Sequence, residues 1–325
     1  MKNRLGFIDI LRGASVLYIV GFWHLMNYTD AFPNYSNSIT TRLTVTILAL
    51  FVFLSGYLMG NNTLDFNIKS IRGFYIKRLI RIYPLYVFAL LLFYYFRLAK
   101  GITLVKAGLL ISMFYGPPPP TLWFITMIMV FYVLTPLLIS AKNTPDLLLR
   151  GIFLVLLMVL ASFLSPKSDP RVLIYFPAYF CGIYLAKLSN LSKAFIIPVF
   201  VCLLGSVVLS MQVHEAPEVS YASIPLAIFS PLCLFILFNS VNLTPNVFIK
   251  TISYAGYVMY LIHRPVYEFM LLIYNKLLLM HGFNMEILKA GYLIFICLPV
   301  IAVISFFVQK IYDVLIAFPV KKLNL

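Results

Sequence analysis

Charge is scarce in this chain. Of its 325 residues only 11% are Asp, Glu, Lys or Arg, and the acidic ones are scarcer still, 10 against 25 basic. A water-soluble domain carries about a quarter charged residues, so a chain that is 62% hydrophobic with this little charge is not a soluble globular protein. Cysteine is sparse too. Cys181, Cys202, Cys233 and Cys297 each fall in an apolar run without C-x-x-C spacing, which leaves them as small hydrophobes rather than metal or redox groups. No His/Cys/Asp/Glu cluster has ligand spacing, so no metal is expected. A cleavable signal peptide is not expected either, because the first apolar segment is long and lacks a small-residue cleavage site. The net charge of +15 would suit nucleic acid, but the basic residues sit between apolar runs instead of forming one solvated patch. That distribution excludes a nucleic-acid partner and fits loops that set membrane topology.

What is present is a series of apolar windows. They lie at 7–27, 41–60, 77–97, 121–141, 150–165, 171–188, 194–211, 221–239, 251–275 and 289–313, each near the length that crosses a hydrocarbon core. The expected architecture is therefore an all-α membrane protein, a polytopic bundle of about ten transmembrane helices forming one membrane-embedded domain over 1–325. A weaker segment at 104–114 is too short to span. With the N-terminus inside, the cytoplasmic side receives Lys2, Arg4, the cluster Lys69, Arg72, Lys77, Arg78 and Arg81, and others. That set is about twice the outer one, which holds Arg42, Lys167 and Arg171 among others, so both termini read as cytoplasmic. The loop with His214, Glu215 and Glu218 then falls outside, as does His281. No appended soluble catalytic module is expected, so any chemistry belongs in or at the membrane.

Ionisable residues within spans are costly and point to function. The first span, FIDILRGASVLYIVGFWHLM, carries Asp9 and Arg12 at one end and His24 towards the other. At about 1.5 Å per residue Arg12 and His24 lie roughly 18 Å apart along the axis. Histidine suits a general base that activates a hydroxyl; the plainer reading is a helix-to-helix hydrogen bond, with Arg12 snorkelling to headgroups. Lys77, Arg78 and Arg81 open the third span. Arg78 and Arg81, three apart, share a helix face and can grip phosphate or carboxylate, although anionic lipid attracts such clusters as well. In the ninth span, SYAGYVMYLIHRP places Tyr260, His263 and Arg264 before Pro265, with Glu268 one turn on as a partner for Arg264. Ser55-Gly56 permits close helix packing. Trp123, after Pro117 to Pro120, reads as an interfacial anchor or as a platform for a sugar ring.

Five stretches, FIDILRG…FWH, FLSGYLMG, KRLIRIYPLY, LWFITMIMVFYVLTPLL and ISYAGYVMYLIHRPV, occur in this order along nearly the whole chain. In this they resemble acyltransferase family 3, integral-membrane O-acyltransferases of which many act on bacterial surface sugars. The resemblance implies a multi-pass enzyme of the bacterial inner membrane. It would transfer an acyl group, most often acetyl, from cytoplasmic acyl-CoA to a hydroxyl of a surface glycan, O-antigen among them, or of its lipid-linked precursor. It implies His24 and Arg12 as catalytic residues and Arg78, Arg81 and Lys77 as the contacts for coenzyme A phosphates. Tyr260, His263 and Trp123 would line the acceptor path. The alternative from another class is a transporter or flippase for an anionic or lipid-linked substrate, which would use similar intramembrane charges.

Two departures stand out. Eleven residues, Gly13 to Trp23, separate Arg12 from His24, one more than is usual in the family. Eleven steps along an α-helix leave two side chains roughly 20° apart around the axis and twelve leave them roughly 120° apart. A one-residue π-bulge around Gly21 is therefore predicted, since it would restore a common face. The stretch after Trp123 also lacks the acidic residue that some members carry, because Thr126 to Met129 is uncharged. The acceptor sugar, its hydroxyl position and the acyl group are not legible in the sequence, and neither is the oligomeric state.

Overall fold

The fold comes from a computed structural model, in which residues 6–165, 167–188, 193–212, 216–241, 243–277 and 285–322 are described. Lys2, Arg4, His214, Glu215 and His281 lie outside them. Among the described residues the chain is all-helical, without strands. The elements are α1 (Gly6–Tyr18), continued by a π turn at Ile19–His24 and a short 3-10 turn at Met26–Tyr28, then α2 (Ser38–Gly60), α3 (Ile68–Tyr95) and the short α4 (Gly101–Gly108). Next come α5 (Trp123–Ile139), α6 (Thr144–Leu164), α7 (Arg171–Lys187), α8 (Ile196–Met211), α9 (Ile224–Ser240) and α10 (Val247–Leu277). The last helical stretch runs through α11 (Glu286–Tyr292), a second π turn at Leu293–Cys297, and α12 (Leu298–Lys322). Among the described residues, five stretches are long and apolar enough to cross a membrane: Gly6–Tyr28, Ser38–Gly60, Thr144–Leu164, Tyr221–Ser240 and Glu286–Ala317.

Local chemistry sets several of these boundaries. Asn143 caps α6 by accepting the Asp146 N–H at 2.9 Å, and Pro145 stands in the first turn, where its missing donor costs nothing. The segment 104–114 does not span; α4 is only 8 residues long. Lys77, Arg78 and Arg81 lie on the third helix as expected, and Lys69 and Arg72, read between the second and third spans, are helical as well because α3 begins at Ile68.

The chain divides into two compact units, and α3 passes from one to the other. In the unit formed by 38–80 and 99–242, α2 and α7 run parallel in close contact, and glycines make that contact possible. A Cβ on Gly56 would overlap the Tyr179 carbonyl oxygen, and one on Gly182 would overlap that of Phe53. A Cβ on Gly60 would lie 2.7 Å from the Ile183 carbonyl oxygen. Between apolar helices in lipid, small residues of this kind let backbones approach until dispersion holds them. Arg42, assigned to the outer end of the second span, lies in the second turn of α2 and is only 8% exposed. Its Nε donates to Ser210 Oγ at 3.0 Å, its Nη2 to the Ser210 carbonyl, and its Nη1 to Ser38 O and Oγ at 2.8 and 2.9 Å. A charge read from sequence only as a marker of the outer side is thus a clamp between α2 and α8.

In the other unit, 1–37 with 81–98 and 243–325, α1 and α10 also run parallel. Gly13 lies against the Ile249 carbonyl, Gly256 against Val16, and Ser253 Oγ donates to Asp9 Oδ1 at 3.0 Å. The Tyr257 hydroxyl donates to the Ile82 carbonyl at 2.8 Å, tying α10 to the second half of α3.

The two packing classes respond differently to substitution. Gly56→Leu, which forces a side chain into the α7 backbone, is expected to destabilise the protein by about 3 kcal/mol. Gly205→Ala, where nothing lies within 4 Å of an added Cβ, should stay within about 1 kcal/mol of wild type. Thermal melts of the purified protein in detergent distinguish the two.

Candidate active site

The first helix does not stay α-helical. Its π turn at Ile19–His24 contains Gly21, where the extra residue between Arg12 and His24 required a bulge. One inserted residue takes up about 100° of helical phase, so Arg12 and His24 return to nearly the same face. The turn is also held from outside: the Tyr267 hydroxyl, on α10, donates to the Val20 carbonyl at 3.0 Å. The missing side chain of Gly21 admits Leu298 of α12, whose Cδ2 would lie 2.8 Å from a Cβ at that position.

The bulge directs His24 onto α10, where it stacks on His263 with ring centroids 4.8 Å apart and planes inclined by 7°. His263 is completely buried. Its Nδ1 lies 2.8 Å from the Tyr260 carbonyl and 3.3 Å from that of Met259. A carbonyl only accepts, so Nδ1 carries a proton. His263 Nε2 is buried without a hydrogen-bond partner, as are His24 Nδ1 and Arg264 Nε. Tyr260 at 5.9 Å and Tyr267 at 6.2 Å flank the His263 ring. Glu268 does not form the expected ion pair with Arg264; it takes a hydrogen bond from Tyr28, in the 3-10 turn after the bulge. A Glu one turn along can lean to either side, and the Tyr28 hydroxyl lies within its reach.

The other site residues fall elsewhere. Arg12 is half-buried at the opposite end of α1. Lys77 and Arg81 are exposed on α3. Arg78 is partly covered: its Nη2 reaches Met59 Sδ at 3.0 Å, and its guanidinium lies 4.7 Å from the Phe74 ring centre.

Trp123, expected as an anchor or sugar platform, is 8% exposed, and the Arg171 guanidinium covers its face at 4.0 Å. Arg171 is itself gripped by Asp169, Nε to Oδ1 at 2.8 Å and Nη2 to Oδ2 at 2.6 Å. This corner was missed in the sequence, although Asp169-Pro170-Arg171 is a recognisable helix-start signal. Glu218 lies near it, outside the spans. Burial pushes its carboxyl above the ordinary value; Arg171 opposes the rise and Asp169 adds to it.

With the geometry in place, the family can be stated. Residues 5–308 match the model of an acyltransferase family, described as an acyltransferase domain. The chain therefore belongs to that family, and with its apolar helices it is a membrane acyltransferase. No curated protein and no solved structure matches it.

Two outcomes follow from the contacts. Tyr267→Phe removes the donor to the Val20 carbonyl and should cost about 1 kcal/mol in thermal unfolding without loss of helix content. Glu218 keeps its proton in the folded chain at pH values where the unfolded chain has released it. Its contribution is therefore complete below the ordinary carboxyl range and is lost as pH rises from about 4.3 through the raised value. Glu218→Gln should flatten that decline, which melts recorded across the acidic range would show.

Proposed function

We propose that this acyltransferase moves an acyl group, acetyl in the first instance, from cytoplasmic acyl-CoA to a hydroxyl of a surface glycan or of its lipid-linked precursor. In this reading it sits in a bacterial inner membrane as about ten spans with both termini inside. The observation that carries it is the half-buried imidazole of His24, turned by a π bulge away from lipid and onto a second imidazole in a chain of this family.

His24 Nδ1 is the buried ring nitrogen, so Nε2 is the one left to meet a substrate. Nε2 takes the proton of the acceptor hydroxyl as the oxygen attacks the thioester carbonyl, forming the C–O bond. The C–S bond then breaks, and the imidazolium returns its proton to the departing thiolate, giving ester and thiol with no net proton change. Lys77, Arg78 and Arg81 hold the phosphates of coenzyme A on the basic first half of α3, where paired arginines suit phosphate oxygens. Arg12, held on the same helix face as His24, orients the donor. Tyr260 and His263 line the path. Trp123, its face covered by Arg171, supports the start of α5 rather than a sugar.

The test is O-acyl content of surface glycan by mass spectrometry in cells expressing wild type, His24→Ala or Arg78→Ala at matched membrane levels, alongside turnover of labelled acyl-CoA by purified protein. Wild type should add an acyl mass to a sugar, His24→Ala should lose at least about 100-fold of that activity, and Arg78→Ala should raise the KM for acyl-CoA. Full acylation by His24→Ala would remove it as the base. Wild-type protein that never cleaves the thioester would favour a transporter.

A further inference from the structure

Polar atoms buried in an apolar bundle are normally paired, and those left over need a reason. Among the described residues, three unpaired nitrogens belong to residues that are stacked or adjacent: His24 Nδ1, His263 Nε2 and Arg264 Nε. His263 is the most constrained of the three. It is wholly buried, anchored through Nδ1 to the Tyr260 carbonyl, flanked by Tyr260 and Tyr267, and parallel to His24 within 7°.

We infer that His263 is the positioning residue of the catalytic base: its fixed, neutral ring is the surface on which His24 is held in plane, and against which the His24 imidazolium forms. The inference rests on the acyl-transfer reading and deepens it, because it gives His263 a role through His24 rather than as a lining of the acceptor path.

A base helps only if its lone pair is aimed while the proton moves, and an error of about 1 Å can cost about 100-fold in rate. In soluble hydrolases a carboxylate that accepts from Nδ1 does the aiming. Here the Nδ1 of His24 has no such acceptor, and the orienting contact is the face of a second ring. His263 Nδ1 is committed to the Tyr260 carbonyl, and in the neutral ring of this proposal the His24 imidazolium meets a flat face instead of a second cation. A second protonated imidazole there would repel it. Arg264 adds positive charge nearby, and Glu268 is bonded to Tyr28. The Tyr267 hydroxyl on Val20 fixes α10 to the bulge that carries His24, so both rings refer to one local frame.

The arrangement can be tested with and without turnover. The chain has 4 histidines, few enough for assigned ring-nitrogen spectra of 15N-histidine-labelled protein. His263 should show a protonated Nδ1 and a bare Nε2, and the His24 signals should move in His263→Leu but hold in His263→Phe, which keeps a flat ring. In steady-state kinetics His263→Leu should lose about 100-fold of kcat with the KM for acyl-CoA unchanged, and His263→Phe should recover most of it. The inference is overturned if His263 carries its proton on Nε2 or is doubly protonated, if Leu and Phe lose activity equally, or if neither loses any. Should the wild type transfer no acyl group, the functional reading fails by itself, and the spectra alone decide whether the rings are paired as stated.

Discussion

An α-helix in lipid has little freedom to choose what its polar side chains face, because backbone hydrogen bonds fix the phase of every residue along it. The π turn at Ile19–His24 is where this chain departs from that rule. It shifts the phase of the helix by about one residue and brings His24 onto α10. A regular helix would leave Arg12 and His24 roughly 120° apart, with one of them towards hydrocarbon. The turn is held by two contacts: Leu298 against the glycine, and the tyrosine hydroxyl that reaches across to Val20.

Several other buried or part-buried polar groups are satisfied within their own helix or by a close neighbour. Thr44, Thr135, Ser162 and Ser230 each donate to the carbonyl four residues back, the usual local solution for a hydroxyl in an apolar helix. Arg42 is surrounded by serine and backbone oxygens, and Arg171 is locked to Asp169. The chain can therefore satisfy even a guanidinium in a buried position. His24, His263 and Arg264 are left with unpaired nitrogens in one neighbourhood. Leaving a buried donor or acceptor unmet costs about 1–3 kcal/mol, which is consistent with groups kept ready for a substrate.

Much of this was legible in the sequence because hydropathy and helical phase are local properties. The apolar windows mark most of the helices, FLSGYLMG marks the close contact with α7, and the count between Arg12 and His24 required a bulge where one is found. The failures have a common cause. Lys69 and Arg72 were read as lying between the second and third spans, and Arg42 as a topogenic charge at the outer end of the second, yet the first two lie on α3 and the third is a buried clamp. Charge reports on solvation, and a helix can carry it wherever a serine cage or an open end supplies the solvation. Contacts across long sequence separation were beyond reach: nothing in Phe22-Trp23-His24 or Ile262-His263-Arg264 says that the two rings meet, or that Glu268 turns to Tyr28 instead of Arg264.

The parallel course of α1 and α10 explains how so distant a pair can be set accurately. Asp9 meets Ser253, Gly13 meets Ile249, Val16 meets Gly256, and Val20 meets Tyr267, so the two helices are registered along their length before the rings come together. Each contact depends on a small residue or a directional hydrogen bond, and both tolerate less sliding than a seam of leucines would. The proposed base, built on two registered helices, needs no loop closure to be aimed. A frame of this kind suits a reaction whose donor and acceptor both differ in polarity from the lipid around it, because the protein alone then determines where the proton goes.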